Sequence, residues 1–335
     1  MYSRKYLLNT IFFICLFALT ISSCKKKTET VLELTPLSIP KNSLKIPSKV
    51  LIYYAWPSVI NTSNFDINKA ILVFKQYDII VLGRDIEKTS HGDYSNTKQI
   101  IGELNKLEKK VFGYIDVGNT QNLSISQLKE AINGWKTIGA IGVFGDEFDL
   151  KYKVDRTRQN EFINYAHQSG MGVFANGFSV EEVLGGGDCL LDKRDFYLLE
   201  SFGYGHGKYE TLAQTIERGT LAYKYKESRG VGIISVATIG VNIVEANSDK
   251  TDAFLHSYYA TAMFNFDGFC FSDENYSGTG PNANKAFIYS DPTSNYGNKF
   301  IEREFAKKVN DTQYSTSTDT HIISLTETSG SVTKK

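Results

Sequence analysis

The sequence predicts an α/β protein: a single (β/α)8 barrel of the TIM type. Three observations predict it. Eight short apolar segments recur over about 260 residues, the usual length of such a barrel. Segments with helical features separate them, and acidic or aromatic residues follow most of the apolar segments. An open doubly wound sheet is the alternative, but no glycine-rich dinucleotide fingerprint follows the first strand.

The apolar segments are short and nearly continuous, which is typical of parallel strands that are covered on both faces. They span residues 50–56, 77–83, 110–117, 141–145, 172–176, 196–201, 232–238 and 268–272. This regular spacing predicts one barrel domain over residues 48–308.

Four segments between the predicted strands show features of helices. Residues 96–110 place apolar side chains at helical spacing, and residues 156–169 end before a glycine, a common helix C-cap. Ser124 and Gln127 have the spacing of a capping box, which predicts the start of a helix. Residues 251–264 are apolar on most sides, as expected of a helix packed on a sheet.

The two ends of the chain are expected to lie outside the barrel. Residues 1–23 combine a basic start, an apolar run and small residues, which is typical of a signal peptide. The segment from Ile21 to Cys24 resembles the lipobox of bacterial lipoproteins, which implies a lipid on Cys24; a plain signal or anchor helix is the alternative. Residues 24–47 then form a polar tether, and residues 309–335, rich in Ser and Thr, predict a flexible tail.

A lipid on Cys24 would attach the protein to a bacterial membrane in the cell envelope, facing the periplasm or the surface. The formal net charge is zero, so nothing in the composition indicates binding to nucleic acid. Cys189 and Cys270 are too few for a disulfide framework in an exported chain of this length. Zinc-like histidine spacing and a phosphate-binding loop are absent from the sequence, so we expect neither a metal nor another cofactor.

Three carboxylates at predicted strand ends are the candidate catalytic residues. Asp146 and Glu147 end the fourth strand, and Glu200 follows the sixth. Active sites of such barrels lie at the C-terminal ends of the strands, and acids are costly in an apolar interior. Because side chains alternate along a strand, Asp146 and Glu147 both face the axis only if the backbone bends, which Gly145 would permit.

Other strand ends supply candidate substrate-binding residues. They are Tyr54, Trp56, Tyr114, Asp116, Asn176, Tyr204 and Asp273. Aromatic faces beside carboxylates suit a neutral or cationic polyhydroxylated ligand, since sugar C–H faces stack on rings and hydroxyls bond to acids. Asp116 could instead cap a turn, and Asp273 could be a solvated loop residue.

The segments 113–116 and 142–147, with Trp135 in the intervening helix, resemble the barrel hydrolases of the spherulation-specific family 4. The run Tyr-Ile-Asp-Val-Gly beginning at Tyr114 is also similar to endo-α-1,4-polygalactosaminidase barrels. Both resemblances imply a glycoside hydrolase that cleaves a galactosamine-containing polysaccharide, with internal cleavage expected. The proposed catalytic residues of the first family correspond here to Asp146, Glu147 and Glu200.

Glycoside hydrolysis needs a protonated acid and a second group at the anomeric carbon. We expect Glu147 to be the general acid and Glu200 the nucleophile or base. Substrate assistance, with Asp146 orienting an acetamido group, is an alternative mechanism. A glycan-binding lipoprotein without catalytic activity, or a structural lipoprotein, would be the competing functions.

Overall fold

The structure is a computed structural model that describes residues 44–239, 248–273, 278–279, 283–293, 295–301 and 305–335, without the side chains of 248–251 and 273. The predicted signal peptide, Cys24 and most of the tether therefore lie outside the described residues. None of the helices within these ranges has the length and apolar character needed to cross a membrane.

Eight parallel strands close into a barrel, which confirms the predicted fold. The first ten strands are β1 (Ser48–Tyr53), β2 (Ile79–Leu82), β3 (Lys110–Asp116), β4 (Gly142–Asp146), β5 (Gly172–Asn176), β6 (Phe196–Leu199), β7 (Tyr204–Gly205), β8 (Lys208–Tyr209), β9 (Gly232–Ile239) and β10 (Gly268–Asp273). Around the barrel the order is β1-β10-β9-β6-β5-β4-β3-β2, while β7 and β8 form a separate hairpin.

Helices connect the barrel strands, as the sequence predicts. They are α1 (Ile67–Phe74), α2 (Tyr94–Lys106), α3 (Ile125–Ile138), α4 (Arg156–Gln168), α5 (Val180–Leu184), α6 (Leu212–Arg229) and α7 (Ser248–Met263). The capping box predicted from Ser124 and Gln127 is present at the start of α3, where the two residues exchange hydrogen bonds.

Side chains alternate between two apolar layers along each barrel strand. One layer fills the barrel and includes Phe112, Phe144, Phe174 and Cys270. The other packs between the strands and the helices, where Trp135 is fully buried. Even-numbered positions of β3 and β4 therefore face the barrel axis, and this parity directs the last residues of these strands toward the barrel mouth.

The prediction of a flexible tail is wrong. Four more strands, β11 (Lys307–Asn310), β12 (Gln313–Ser317), β13 (His321–Thr326) and β14 (Gly330–Lys334), form an antiparallel sheet. Alternate residues Ile323 and Leu325 are fully buried, and the Ser- and Thr-rich neighbours suit a half-buried strand. The sheet packs on α7. Gly330 lies so close to this helix that a Cβ atom at this position would come within 2.7 Å of the Leu255 carbonyl oxygen.

Candidate active site

A cleft of about 570 Å³ opens at the C-terminal ends of the barrel strands. Six of the predicted site residues line it: Tyr54, Tyr114, Asp146, Glu147, Asn176 and Glu200. The fold thus brings together residues from five strand ends that are up to about 150 positions apart in the chain. All three candidate catalytic acids are among them.

Asp146 is held in place by three hydrogen bonds. The Tyr114 hydroxyl donates to Oδ2 at 2.7 Å, and the Asn176 amide Nδ2 donates to Oδ1 at 2.8 Å. The backbone N–H of Glu147 also donates to Oδ1, at 2.9 Å. Three donors favour the ionised carboxylate, and they fix its orientation at the end of β4.

Burial opposes these hydrogen bonds at Asp146. Desolvation raises the pKa of this carboxyl above its usual value, while the bonds from Tyr114, Glu147 and Asn176 lower it. Burial and the neighbouring Asp146 charge also raise the pKa of Tyr114, so its hydroxyl keeps its proton and remains a donor. The Asp146 carboxylate is therefore preorganised by neutral donors rather than by a cation.

Glu147 bends the chain away from the strand direction. Its backbone has a φ of 57°, in the left-handed region, so the predicted bend lies at Glu147 itself and not at Gly145. The carboxylate accepts hydrogen bonds from the backbone N–H of Thr120, at 3.1 Å, and from the Thr120 hydroxyl. Glu147 therefore lines the cleft while it is anchored to the loop between β3 and α3.

Glu200 has a different environment from Asp146. Its main-chain carbonyl accepts a hydrogen bond of 2.6 Å from the Arg218 guanidinium. Among the described residues, however, none donates a hydrogen bond to its carboxyl group. Burial, followed by the Asp146 charge, raises the pKa of Glu200, and the charges of His206, Arg218 and Lys151 lower it by less. The cleft therefore contains one acid with three donors and another that none of the described residues stabilises by a hydrogen bond.

Asp116 lies beside this cleft rather than in its lining. It pairs in register with Asp146 between β3 and β4, and it is 2% exposed. Burial, then the charges of Glu147 and Asp146, raise its pKa to about 6. Asp116 is instead among the residues that line a second cavity, on the α2 and α3 side of the barrel.

Two other predicted binding residues, Trp56 and Tyr204, do not line the cleft in the structure. Trp56 is 42% exposed and contacts His91, with ring centroids 5.4 Å apart. Tyr204 packs against Tyr209 within the β7–β8 hairpin, at 4.9 Å. The side chain of Asp273 lies outside the described residues, so its place in the site stays a prediction.

The sequence analysis missed an aromatic platform at the cleft. Tyr152 and Phe178 stack with centroids 6.2 Å apart and planes 21° apart, and both line the cleft. The Lys151 ammonium lies 3.6 Å from the Phe178 centroid. Phe178 is 54% exposed, and a large aromatic two residues after the end of β5 was the signal that could have identified it.

One group among the described residues offers three possible metal ligands: His167, Asp192 and Asp195. It lies at the N-terminal ends of β5 and β6, opposite the cleft. Asp195 there accepts hydrogen bonds from the backbone N–H groups of Val173 and Asp192, both at 2.8 Å. The Arg194 guanidinium also lies 3.0 Å from His167 Nδ1, so the group has the contacts of a structural ion-pair network.

Comparison with known proteins shows similarity at the level of solved structures. Neither a protein-family model nor a curated protein matches the chain. The chain is similar to the glycoside hydrolase domain of PelA from Pseudomonas aeruginosa, with 15% identity, a TM-score of 0.44, and coverage of 68% of this chain and 96% of that one.

Two further solved structures are similar to the chain. Eubacterium rectale Amy13B has 9% identity and a TM-score of 0.46, over 70% of this chain and 66% of that one. The D-allulose 3-epimerase of Methylomonas sp. has 12% identity and a TM-score of 0.41, over 71% and 86%. At these identities and TM-scores, such similarities do not indicate an activity for this chain.

Proposed function

We propose that the protein is a glycoside hydrolase whose catalytic site is the cleft around Asp146 and Glu200. The observation that carries the proposal is the contrast between these two acids in one cleft. Glycoside hydrolysis needs a carboxylic acid that protonates the leaving oxygen and a carboxylate that acts at the anomeric centre or on water. Asp146, with three donors, suits the carboxylate, and Glu200 suits the acid.

This assignment changes the role that the sequence favoured for Glu200. None of the described residues donates a hydrogen bond to the Glu200 carboxyl group, and burial and the Asp146 charge raise its pKa, which favours the protonated form that an acid catalyst needs. Asp146 then acts as nucleophile or as the group that orients an acetamido substituent. Glu200, deprotonated once the leaving group departs, then takes the proton from the attacking water, while Glu147, anchored by Thr120, lines the same cleft.

The lining of the cleft supports a carbohydrate substrate. The rings of Tyr54, Tyr114, Tyr152 and Phe178 provide apolar faces beside the acids. The cleft volume of about 570 Å³ lies within the range that ligand sites usually have. From the family resemblance we propose a galactosamine-containing polysaccharide as the substrate, with internal cleavage.

The proposal extends to the location of the protein. The lipobox-like segment ending at Cys24 supports a lipid anchor in a bacterial cell envelope, with the barrel on a tether. Palmitate labelling of the full chain in a bacterial host tests this point. Label lost in Cys24→Ala and kept in Cys15→Ala supports it, and label retained in Cys24→Ala contradicts it.

The test of the activity is release of reducing ends from galactosamine-containing polysaccharides, both acetylated and deacetylated. We expect Glu200→Gln and Asp146→Asn to lose about 10²–10⁴-fold in rate, the usual contribution of acid–base groups. Glu161→Gln, at an exposed position on α4, is the matched control and should keep full activity. Wild-type protein that binds these polysaccharides without releasing ends would contradict the proposal and favour a glycan-binding lipoprotein.

An aryl glycoside separates the roles of the two acids. A phenolate with a low pKa leaves without protonation, so Glu200→Gln should recover most of its rate on such a substrate. Asp146→Asn should not recover, because its role does not concern the leaving group. Equal recovery of both variants would contradict the assignment of Glu200 as the proton donor.

A further inference from the structure

Two exposed aromatic side chains lie against each other outside the catalytic cleft. Trp56 is 42% exposed and Phe65 is 58% exposed, and their ring centroids are 6.3 Å apart. We call Trp56 and Phe65 the rim pair. Single exposed apolar residues are common on protein surfaces, whereas adjacent ones are typical of binding sites.

The rim pair lies at the same end of the barrel as the cleft. Both residues belong to the connection that follows β1, and Trp56 also contacts His91, in the connection that follows β2. Tyr54 lines the cleft, and Trp56 comes two positions later, so their Cα atoms are at most about 7 Å apart. The rim pair is therefore next to the cleft without being part of its lining.

The backbone holds Phe65 in its exposed position. Phe65 has a φ of 65°, in the left-handed region, which is a clear outlier for a bulky residue, and three residues of the segment 61–64 also have positive φ. Such conformations persist only where the surrounding structure imposes them. Here the Phe65 N–H donates to the Ser58 carbonyl at 2.9 Å, and the Ser58 N–H donates to the buried Asp93 carboxylate at 3.0 Å.

Trp56 is also fixed by its neighbours. Its carbonyl oxygen accepts a hydrogen bond of 3.1 Å from the Tyr53 hydroxyl. Its ring packs on Gly92, where a Cβ atom would come within 2.7 Å of the ring carbon Cη2. The rim pair is thus a preorganised apolar surface, and a ligand that binds it loses little free energy to the ordering of side chains.

A second pair of rings lies on the opposite side of the barrel mouth. Tyr152 and Phe178, which stack at 6.2 Å, follow β4 and β5. In the strand order of the closed barrel, β1 and β5 are four positions apart and therefore lie opposite each other. The cleft extends from Tyr152 and Phe178 to Tyr54, beside the rim pair. A ligand that crosses the mouth from one pair to the other passes Asp146 and Glu200.

The size of the rim pair suits a sugar unit better than a protein partner. An aromatic side chain buries about 150–250 Å² even when it is fully covered. A stable protein interface buries about 800 Å² on each partner, which two rings do not provide. Sugar C–H faces, by contrast, are of the size of one ring and stack on it.

We propose that the rim pair is a distal subsite, which binds a sugar unit of the same polysaccharide chain whose cleaved bond lies in the cleft. This inference rests on the proposed glycoside hydrolase function and deepens it. A chain that spans both aromatic pairs has sugar units on both sides of the cleaved bond. The substrate is then a long polymer, cleaved internally.

Kinetics on long and short substrates test the proposal. With α-1,4-galactosaminan polymer, acetylated or deacetylated, Trp56→Ala and Phe65→Ala should each raise KM about 3–10-fold, as expected for loss of one aromatic contact, without lowering kcat. With an aryl glycoside of one sugar unit, KM should not rise, because this substrate does not reach the rim pair. Leu107→Ala, which removes an equally exposed apolar side chain after α2, is the matched control. An unchanged KM for the polymer, or an equal rise for both substrates, would overturn the proposal.

Binding measurements separate this proposal from the proposed activity. Calorimetric titration with the same polymers requires no turnover. Binding that both rim variants weaken, without release of reducing ends, would contradict the activity and support the subsite. Release of reducing ends with the same polymer affinity in wild type and variants would support the activity and overturn the subsite. Absence of polymer binding by the wild type would overturn the subsite as well.

Further variants distinguish lost contacts from lost folding. Phe65→Gly removes the ring at a position where glycine readily adopts the observed φ, so it serves if Phe65→Ala does not fold. Trp56→Phe keeps a ring and should restore most of the polymer affinity that Trp56→Ala loses. Gly92→Ala keeps the ring but displaces it, and should weaken polymer binding. Equal affinities of Trp56→Phe and Trp56→Ala would contradict a stacking role.

Discussion

Replacement of Asp116 by Asn should stabilise the protein at neutral pH more than at acidic pH. Burial and the charges of Glu147 and Asp146 raise the Asp116 pKa from 3.8 to about 6. The folded state therefore binds this proton more tightly than the unfolded state. The resulting stability is complete below pH 4 and is lost as the pH rises through 6.

The magnitude follows from this difference in pKa. A rise from 3.8 to about 6 corresponds to about 3 kcal/mol at 1.36 kcal/mol per unit. We expect about 1–3 kcal/mol, because relaxation and water near the cleft screen part of the charge. Asn keeps the shape of Asp116 and carries no charge at any pH, so the variant should not show this loss.

Urea unfolding between pH 4 and pH 8 measures the effect. The free energy of unfolding of Asp116→Asn minus that of wild type should increase with pH, mostly between pH 4 and pH 7. Altered hydrogen bonding in the variant would add the same amount to this difference at every pH, so it would not change how the difference depends on pH. Glu161→Gln, at an exposed position, is the control and should show no such slope. A difference that stays constant or decreases with pH would refute the reasoning.

Three further predictions concern the site and the packing around it. Tyr114→Phe removes a donor that lowers the pKa of Asp146, so the acidic limb of the pH–rate profile should move to higher pH, with a rate loss of about 10-fold or more. An unchanged acidic limb would contradict this role. Gly113→Ala should destabilise the protein by about 1–3 kcal/mol in urea unfolding, because a Cβ atom would overlap the Trp135 ring. Gly102→Ala, where the space is open, is its control. Burial lowers the pKa of His256, so stability should fall below pH 6.5 as the unfolded chain takes up a proton, and His256→Gln should reduce this loss in thermal unfolding between pH 7 and pH 5.

Local patterns in the sequence were enough to predict the barrel. The continuously apolar residues 141–145 predicted a strand, which the structure places at Gly142–Asp146, and the capping box at Ser124 starts α3 as expected. The same approach failed for residues 309–335, since their Ser and Thr content suggested a flexible tail. Burial of Ile323 and Leu325 in the sheet that packs on α7 organises this segment, and such packing involves contacts distant in sequence.

The sequence by itself determined the fold class and the set of acids at the strand ends. Apolar segments that alternate with helical segments, and the residues that follow each apolar segment, are local properties of the chain. The tertiary structure decided how these acids differ. Tyr114 and Asn176, from neighbouring strands, give Asp146 its donors, whereas Glu200 receives none among the described residues. Register also placed Asp116 next to Asp146. Hydrogen bonding and desolvation depend on neighbours that only the closed barrel brings together, so carboxyl groups at equivalent strand ends acquire different environments.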